Sequence, residues 1–143
     1  MKLRIVLAAT LIAFTATAHA ACSVSSPGLN FGTYDPSSSF DKLGAGTITV
    51  NCSLATVYTV NLSTGQGTFV QRTLKNGGST LNYNLYIDAT RLFVWGDGSG
   101  STSVNAGVGT GLDGTFTAYG KMPAKQNVAA GTYTDSVVIT VAF

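Results

Sequence analysis

The stretch from Gly131 to Phe143 alternates without a break. Val137, Ile139, Val141 and Phe143 fall on one face, and Ser136, Val138, Thr140 and Ala142 on the other. A period of two marks a β-strand with one face in a core, whereas helical side chains repeat about every 3.6 residues. The chain is therefore expected to end inside its own core. Such a strand needs a neighbour on each side for its amides and carbonyls, and one neighbour is expected to come from another protein.

The opposite end reads as an address. Lys2 and Arg4 form a basic start, Ile5 to Phe14 is an apolar run too short to cross a bilayer, and Ala18-His19-Ala20 is a small-x-small cleavage site. This order predicts a secretory signal peptide over residues 1–20 and a mature domain over 21–143. His19 stands at the third position before Cys22, where a lipoprotein signal carries an aliphatic residue, so lipidation is not expected. No other stretch reads as a membrane span, and the product is expected to be exported and soluble.

Losing the signal changes the charge balance. Of eight basic residues, Lys2 and Arg4 leave with it, so six remain against six acidic ones. That balance gives no electrostatic case for nucleic acid or an anionic membrane. The single histidine, His19, also leaves, and glutamate is absent from the chain. A Ser-His-Asp or Cys-His centre is then out of reach, and so is the commonest zinc ligand. The reading is a protein that is not an enzyme and carries no cofactor or metal. Asp35, Asp41, Asp88, Asp97, Asp113 and Asp135 fall mostly in or beside turn signals, where Asp stabilises local backbone. Nothing in their spacing favours a glycosidase-like pair.

Cys22 and Cys52 both remain, and an exported chain with an even count is expected to join them. The rest is rich in Gly, Thr, Ser, Val and Tyr, with turn clusters about every ten residues, the pattern of an all-β sandwich. Strands are expected over Val24–Phe31, with Leu29 and Phe31 two apart, and over Thr47–Cys52, with Ile48, Val50 and Cys52 inward. Val57–Leu62 follows with Tyr58, Val60 and Leu62 inward. Thr68–Leu74 reads as extended and Lys75-Asn76-Gly77-Gly78 as a turn. Leu81, Tyr83, Leu85 and Ile87 mark the clearest central strand, Arg91–Trp95 is short and apolar, and Thr115–Met122 alternates again. Gly109-Thr110-Gly111-Leu112-Asp113-Gly114 has the glycine spacing of a dinucleotide loop, but no helix follows to hold a pyrophosphate, so a hairpin loop is expected. Asp97-Gly98-Ser99-Gly100 offers one carboxylate, too few for calcium. Tyr83, Tyr86, Trp95 and Tyr119 could line a sugar-binding surface, but cross-strand packing explains them better.

Several stretches together carry a family resemblance. Cys22-Ser23-Val24-Ser25 with Leu29-Asn30-Phe31-Gly32-Thr33-Tyr34, Leu81-Asn82-Tyr83-Asn84-Leu85-Tyr86 and Val94-Trp95-Gly96-Asp97-Gly98 are three of them. Tyr119-Gly120-Lys121-Met122-Pro123-Ala124 and Gly131-Thr132-Tyr133-Thr134-Asp135 complete the set. In this order, across essentially the whole mature chain, they resemble the spore coat protein U domain family, which includes subunits of archaic chaperone-usher pili.

The resemblance implies an immunoglobulin-like β-sandwich that is incomplete and completed by a donor strand in trans. It implies as partners a periplasmic chaperone, an outer-membrane usher and other pilin subunits, and a cell-surface pilus or coat as the destination. The acceptor groove would be lined by Leu29, Phe31, Val137, Ile139, Val141 and Phe143. Polymerising pilins carry an apolar extension before the first cysteine, whereas cleavage after Ala20 leaves only Ala21, so a distal or tip subunit is expected. Two other readings stay open: a coat or matrix protein that closes its own sandwich, and an adhesin-like module that binds a surface ligand.

Overall fold

Alternating inward residues build two antiparallel sheets that face each other. The computed structural model describes residues 19–143; the predicted signal peptide, His19 and Ala20 apart, lies outside them. The strands are β1 (Cys22–Ser25), β2 (Lys42–Cys52), β3 (Val57–Leu62), β4 (Arg72–Asn76), β5 (Ser79–Tyr86), β6 (Asn105–Val108), β7 (Asp113–Met122) and β8 (Ile139–Ala142), with no helix among the described residues. The larger sheet runs β1-β2-β7-β5-β4 and the smaller β6-β3-β8.

The core lies where the expected inward faces meet. Ile48, Val50 and Cys52 from β2, Leu81, Tyr83 and Leu85 from β5, and Ala118 and Met122 from β7 are buried against Tyr58, Val60 and Leu62 of β3. Trp95 is fully buried between the sheets. Its amide donates to Leu85 O at 2.9 Å and its indole Nε1 to Val60 O at 2.7 Å, so one residue holds a strand of each sheet. Cys22 and Cys52 are bonded, at the register pair where β1 meets β2.

Several elements differ from the sequence reading, each for a local reason. The expected strand Val24–Phe31 stops at Ser25, because Pro27 has no amide to give and Gly28 takes φ +85°. The extended run before the Asn76-Gly77 turn starts its ladder only at Arg72. The final strand pairs with β3 only over Ile139–Ala142, because earlier residues are held elsewhere: Thr134 exchanges both backbone bonds with Lys75 of β4. β6, Asn-Ala-Gly-Val, has no alternation to announce it. The glycine-rich segment after β6 is not a hairpin loop: it crosses from the smaller sheet to β7 of the larger one.

Three of the aspartates, Asp35, Asp88 and Asp97, serve their own turns, whereas Asp41 accepts from Ala124 N and Asp113 from Asn51 Nδ2, 83 and 62 residues away. Asp35 accepts from the amide and hydroxyl of Ser37, Asp97 from those of Ser99, and Asp88 from Thr90 Oγ1 and the amides of Leu92 and Phe93. Hydrogen bonds to the charged form hold all three below the usual carboxylate range, led in each case by the Ser or Thr hydroxyl. A group with a lowered folded pKa adds stability that is fully present above its unfolded value and lost as pH falls through the folded one. The melting temperature is therefore expected to hold on acidification to about pH 5 and to fall below about pH 4. Asp88→Asn should flatten that decline, as an acid titration of the melting temperature would record.

Candidate functional site

One flank of the sandwich is stitched and the other is open. On the stitched flank, the segment 93–96 bonds to both sheets: Trp95 N to Leu85 O, Ile87 N to Phe93 O, and Leu62 N to Gly96 O. On the other flank stand β1 and β8, each the edge strand of its sheet and each a neighbour of the other, with no ladder between them. An edge strand presents unpaired backbone donors and acceptors, a template for another strand.

The open flank leads into two adjoining clefts between segment 26–36 and segment 128–139. The smaller, about 290 Å³, is lined chiefly by Leu29, Ile48, Leu62, Leu85, Val137 and Ile139. The larger, about 790 Å³, continues past Phe31, Leu74, Leu81, Met122 and Val128 to residues 129–134. Leu29, Phe31, Leu74 and Asp135 line both.

Of the six residues expected to line an acceptor groove, the structure brings Leu29, Phe31, Val137 and Ile139 to the walls of these clefts. Val141 is half-buried against the core but outside both clefts. Phe143 does not end inside the core: it is 61% exposed, because it lies beyond Ala142, whose partner Thr59 closes the ladder.

A glycine floor accounts for how Leu29 and Phe31 reach this position. After β1 the chain leaves the edge of the large sheet, where Ser26 Oγ donates to Thr47 O at 2.8 Å, and crosses its inner face. A methyl group placed on Gly44 would sit 2.9 Å from Phe31 Cδ1, and one on Gly120 would sit 2.5 Å from Phe31 Cζ. Only hydrogen fits there, so the Phe31 ring lies against the sheet and meets Tyr83 edge-on, centroids 5.9 Å apart. The far end of the segment is fixed by Tyr34, whose hydroxyl donates to Pro123 O at 2.7 Å and accepts from Gln126 N at 2.9 Å. Gly120→Val is expected to expel Phe31 and lower stability by about 1–3 kcal/mol. Urea denaturation would measure the loss, and Phe31→Ala in the same chain should recover part of it.

A polar pair breaks the apolar lining. The Tyr83 hydroxyl donates to Asp135 Oδ2 at 2.6 Å, and Asp135 Oδ1 accepts from the amides of Gln66 at 2.9 Å and Ser136 at 2.7 Å. Burial first, and then the carboxylate, push the Tyr83 phenol far above its ordinary value, so it remains a donor. The sequence showed Asp135 only as a turn residue; its role depends on a contact 52 residues away in the chain.

The four aromatic residues weighed as a sugar surface do not form one. Trp95 and Tyr83 are buried. Tyr86 and Tyr119 pair across β5 and β7 on the outer face of the sheet, with Lys121 Nζ 5.5 Å from the Tyr86 ring and the Arg91 guanidinium 5.7 Å from the Tyr119 ring.

Residues 8–140 match the Spore Coat Protein U domain family. Protein U of Myxococcus xanthus is 38% identical, over 95% of this chain and 93% of the relative. Among solved structures, the CsuC–CsuE chaperone–tip adhesion subunit pre-assembly complex from archaic chaperone-usher Csu pili of Acinetobacter baumannii contains a chain similar in fold. The TM-score is 0.63 at 23% identity, over 87% of this chain and 40% of that one. This chain thus spans less than half the length of the solved chain it resembles.

Proposed function

Because this chain belongs to the spore coat protein U domain family, we propose that it is a structural subunit of a chaperone-usher surface pilus, assembled by donor-strand complementation. The open flank between β1 and β8, leading into an apolar cleft, carries this reading. A strand added there would gain main-chain bonds from the exposed edges and place alternate side chains in the cleft. The partners that follow are a periplasmic chaperone that first fills the flank, an outer-membrane usher, and another pilin subunit that replaces the chaperone. The route runs through the periplasm to the cell surface. The placement at a distal tip rests on cleavage after Ala20, which leaves Ala21 alone ahead of Cys22 as a donor segment. An intact mass of the exported protein that begins well before Ala21 would remove that placement.

Thermal unfolding of the oxidised domain with synthetic donor-strand peptides tests the reading. A ligand that binds only the folded state adds roughly 2.7 kcal/mol at a hundredfold excess over Kd. The expected result is a rise in melting temperature that disappears when the peptide is shifted by one residue, since such a slip turns every inward side chain outward.

One observation favours a second reading. Leu29 and Phe31 already occupy part of the space over the glycine floor, as in a coat protein that closes its own sandwich. That protein would be a stable monomer indifferent to every peptide.

A further inference from the structure

Resting on the donor-strand reading, we propose that Asp135 sets the specificity of the groove: the incoming strand carries a small or hydroxyl side chain opposite it and excludes a carboxylate. Among the described residues lining the two clefts, Asp135 is the only charged one, and it lines both. On one side of it lie Ile48, Leu62, Leu85, Ala118, Val137 and Ile139, which suit aliphatic side chains. On the other, the lining becomes mixed, with Thr132 and Thr134 beside Leu74 and Leu81.

The chemistry at this waist is narrow. Both Asp135 oxygens already accept hydrogen bonds, so an aliphatic group pressed on them would strip water from a carboxylate without replacing it. A second carboxylate would face like charge at close range. A cation would have to shed its own hydration in a largely apolar cleft for a carboxylate whose two oxygens are already bonded. A hydroxyl can donate to a remaining lone pair, and glycine or alanine leaves room for water. The groove thus discriminates by rejection at one position as well as by fit at the others.

The probes are peptides of alternating valine and threonine in which each inward valine is replaced in turn by threonine, aspartate or asparagine, titrated against the exported, oxidised protein. At one position threonine should bind as well as valine or better, and aspartate should bind about 30-fold more weakly than asparagine, a gap not seen elsewhere. In Asp135→Asn that gap should shrink to about threefold. Tyr83→Phe, which keeps the carboxylate, should preserve it. The wild-type comparison of aspartate with asparagine stands even if Asp135→Asn does not fold. Peptides that bind with no such position, or a gap unchanged in Asp135→Asn, would overturn the waist while leaving the groove intact. If no peptide of the series binds, the groove reading fails and this inference with it.

Discussion

Arg72→Leu is expected to lower stability by about 3–5 kcal/mol, read from the urea midpoint at unchanged slope. The residue is 0% exposed, and its guanidinium is held by neutral oxygens: Nε and Nη2 donate to Ser63 O at 3.0 and 2.7 Å, Nη2 also to Trp95 O at 2.7 Å, and Nη1 to Asn84 Oδ1 at 2.6 Å. Leucine has a comparable apolar stem but leaves two carbonyls and an amide oxygen in the core without this donor. Burial works against the charge, and the carboxylate of Asp135 supports it. The network has a structural purpose: Ser63 follows β3, Trp95 stitches the sheets, and Asn84 belongs to β5, so one side chain ties the edge of the large sheet to the small one. Arg72→Lys tests this directly. It keeps the charge but loses the planar fork, and should recover well under half of the loss. A full recovery would mean that charge, and not the geometry of the fork, holds the sheets together.

How much of this was legible beforehand depended on whether the cause was local. Ile48, Val50 and Cys52, or Tyr58, Val60 and Leu62, were readable as inner sets because alternation within one strand fixes which face a side chain takes. The flank was partly readable: Val137 and Ile139 alternate, and Leu29 and Phe31 stand two apart. What the pattern could not carry was pairing. It extended the run to Phe143, although the ladder stops with Thr59, the partner of Ala142. It also missed that Gly44 and Gly120, on different strands, form one floor under Phe31. The same limit hid Arg72, an isolated cation in an extended run whose partners lie 9, 12 and 23 residues away. β6 escaped because Asn105–Val108 has no periodicity and is a strand only by virtue of pairing with β3.

Removing the disulfide by Cys22→Ala with Cys52→Ala should cost about 3–4 kcal/mol, the loop-closure estimate for cysteines 30 residues apart. The local structure argues that the loss will fall unevenly. β1 is four residues long, only Cys22 in it is even half-buried, and Val24 is 39% exposed, so the strand has little burial of its own to hold it on β2. The bond lies at the outermost register pair and anchors the strand where the chain enters the sheet. Without it, β1 should open before the core does, and segment 26–34 should lose one of its two anchors, with Tyr34 on Pro123 and Gln126 left as the other. Hydrogen exchange should therefore accelerate at residues 23–26 by far more than at Val60 or Leu85. Donor peptides should also bind more weakly, because β1 and the chain after it form one wall of the flank. A global loss with uniform exchange would mean that β1 is integral to the core and the flank a fixed slot. Fast exchange confined to β1, with weakened peptide binding, would mean that the disulfide stabilises the acceptor site more than the fold.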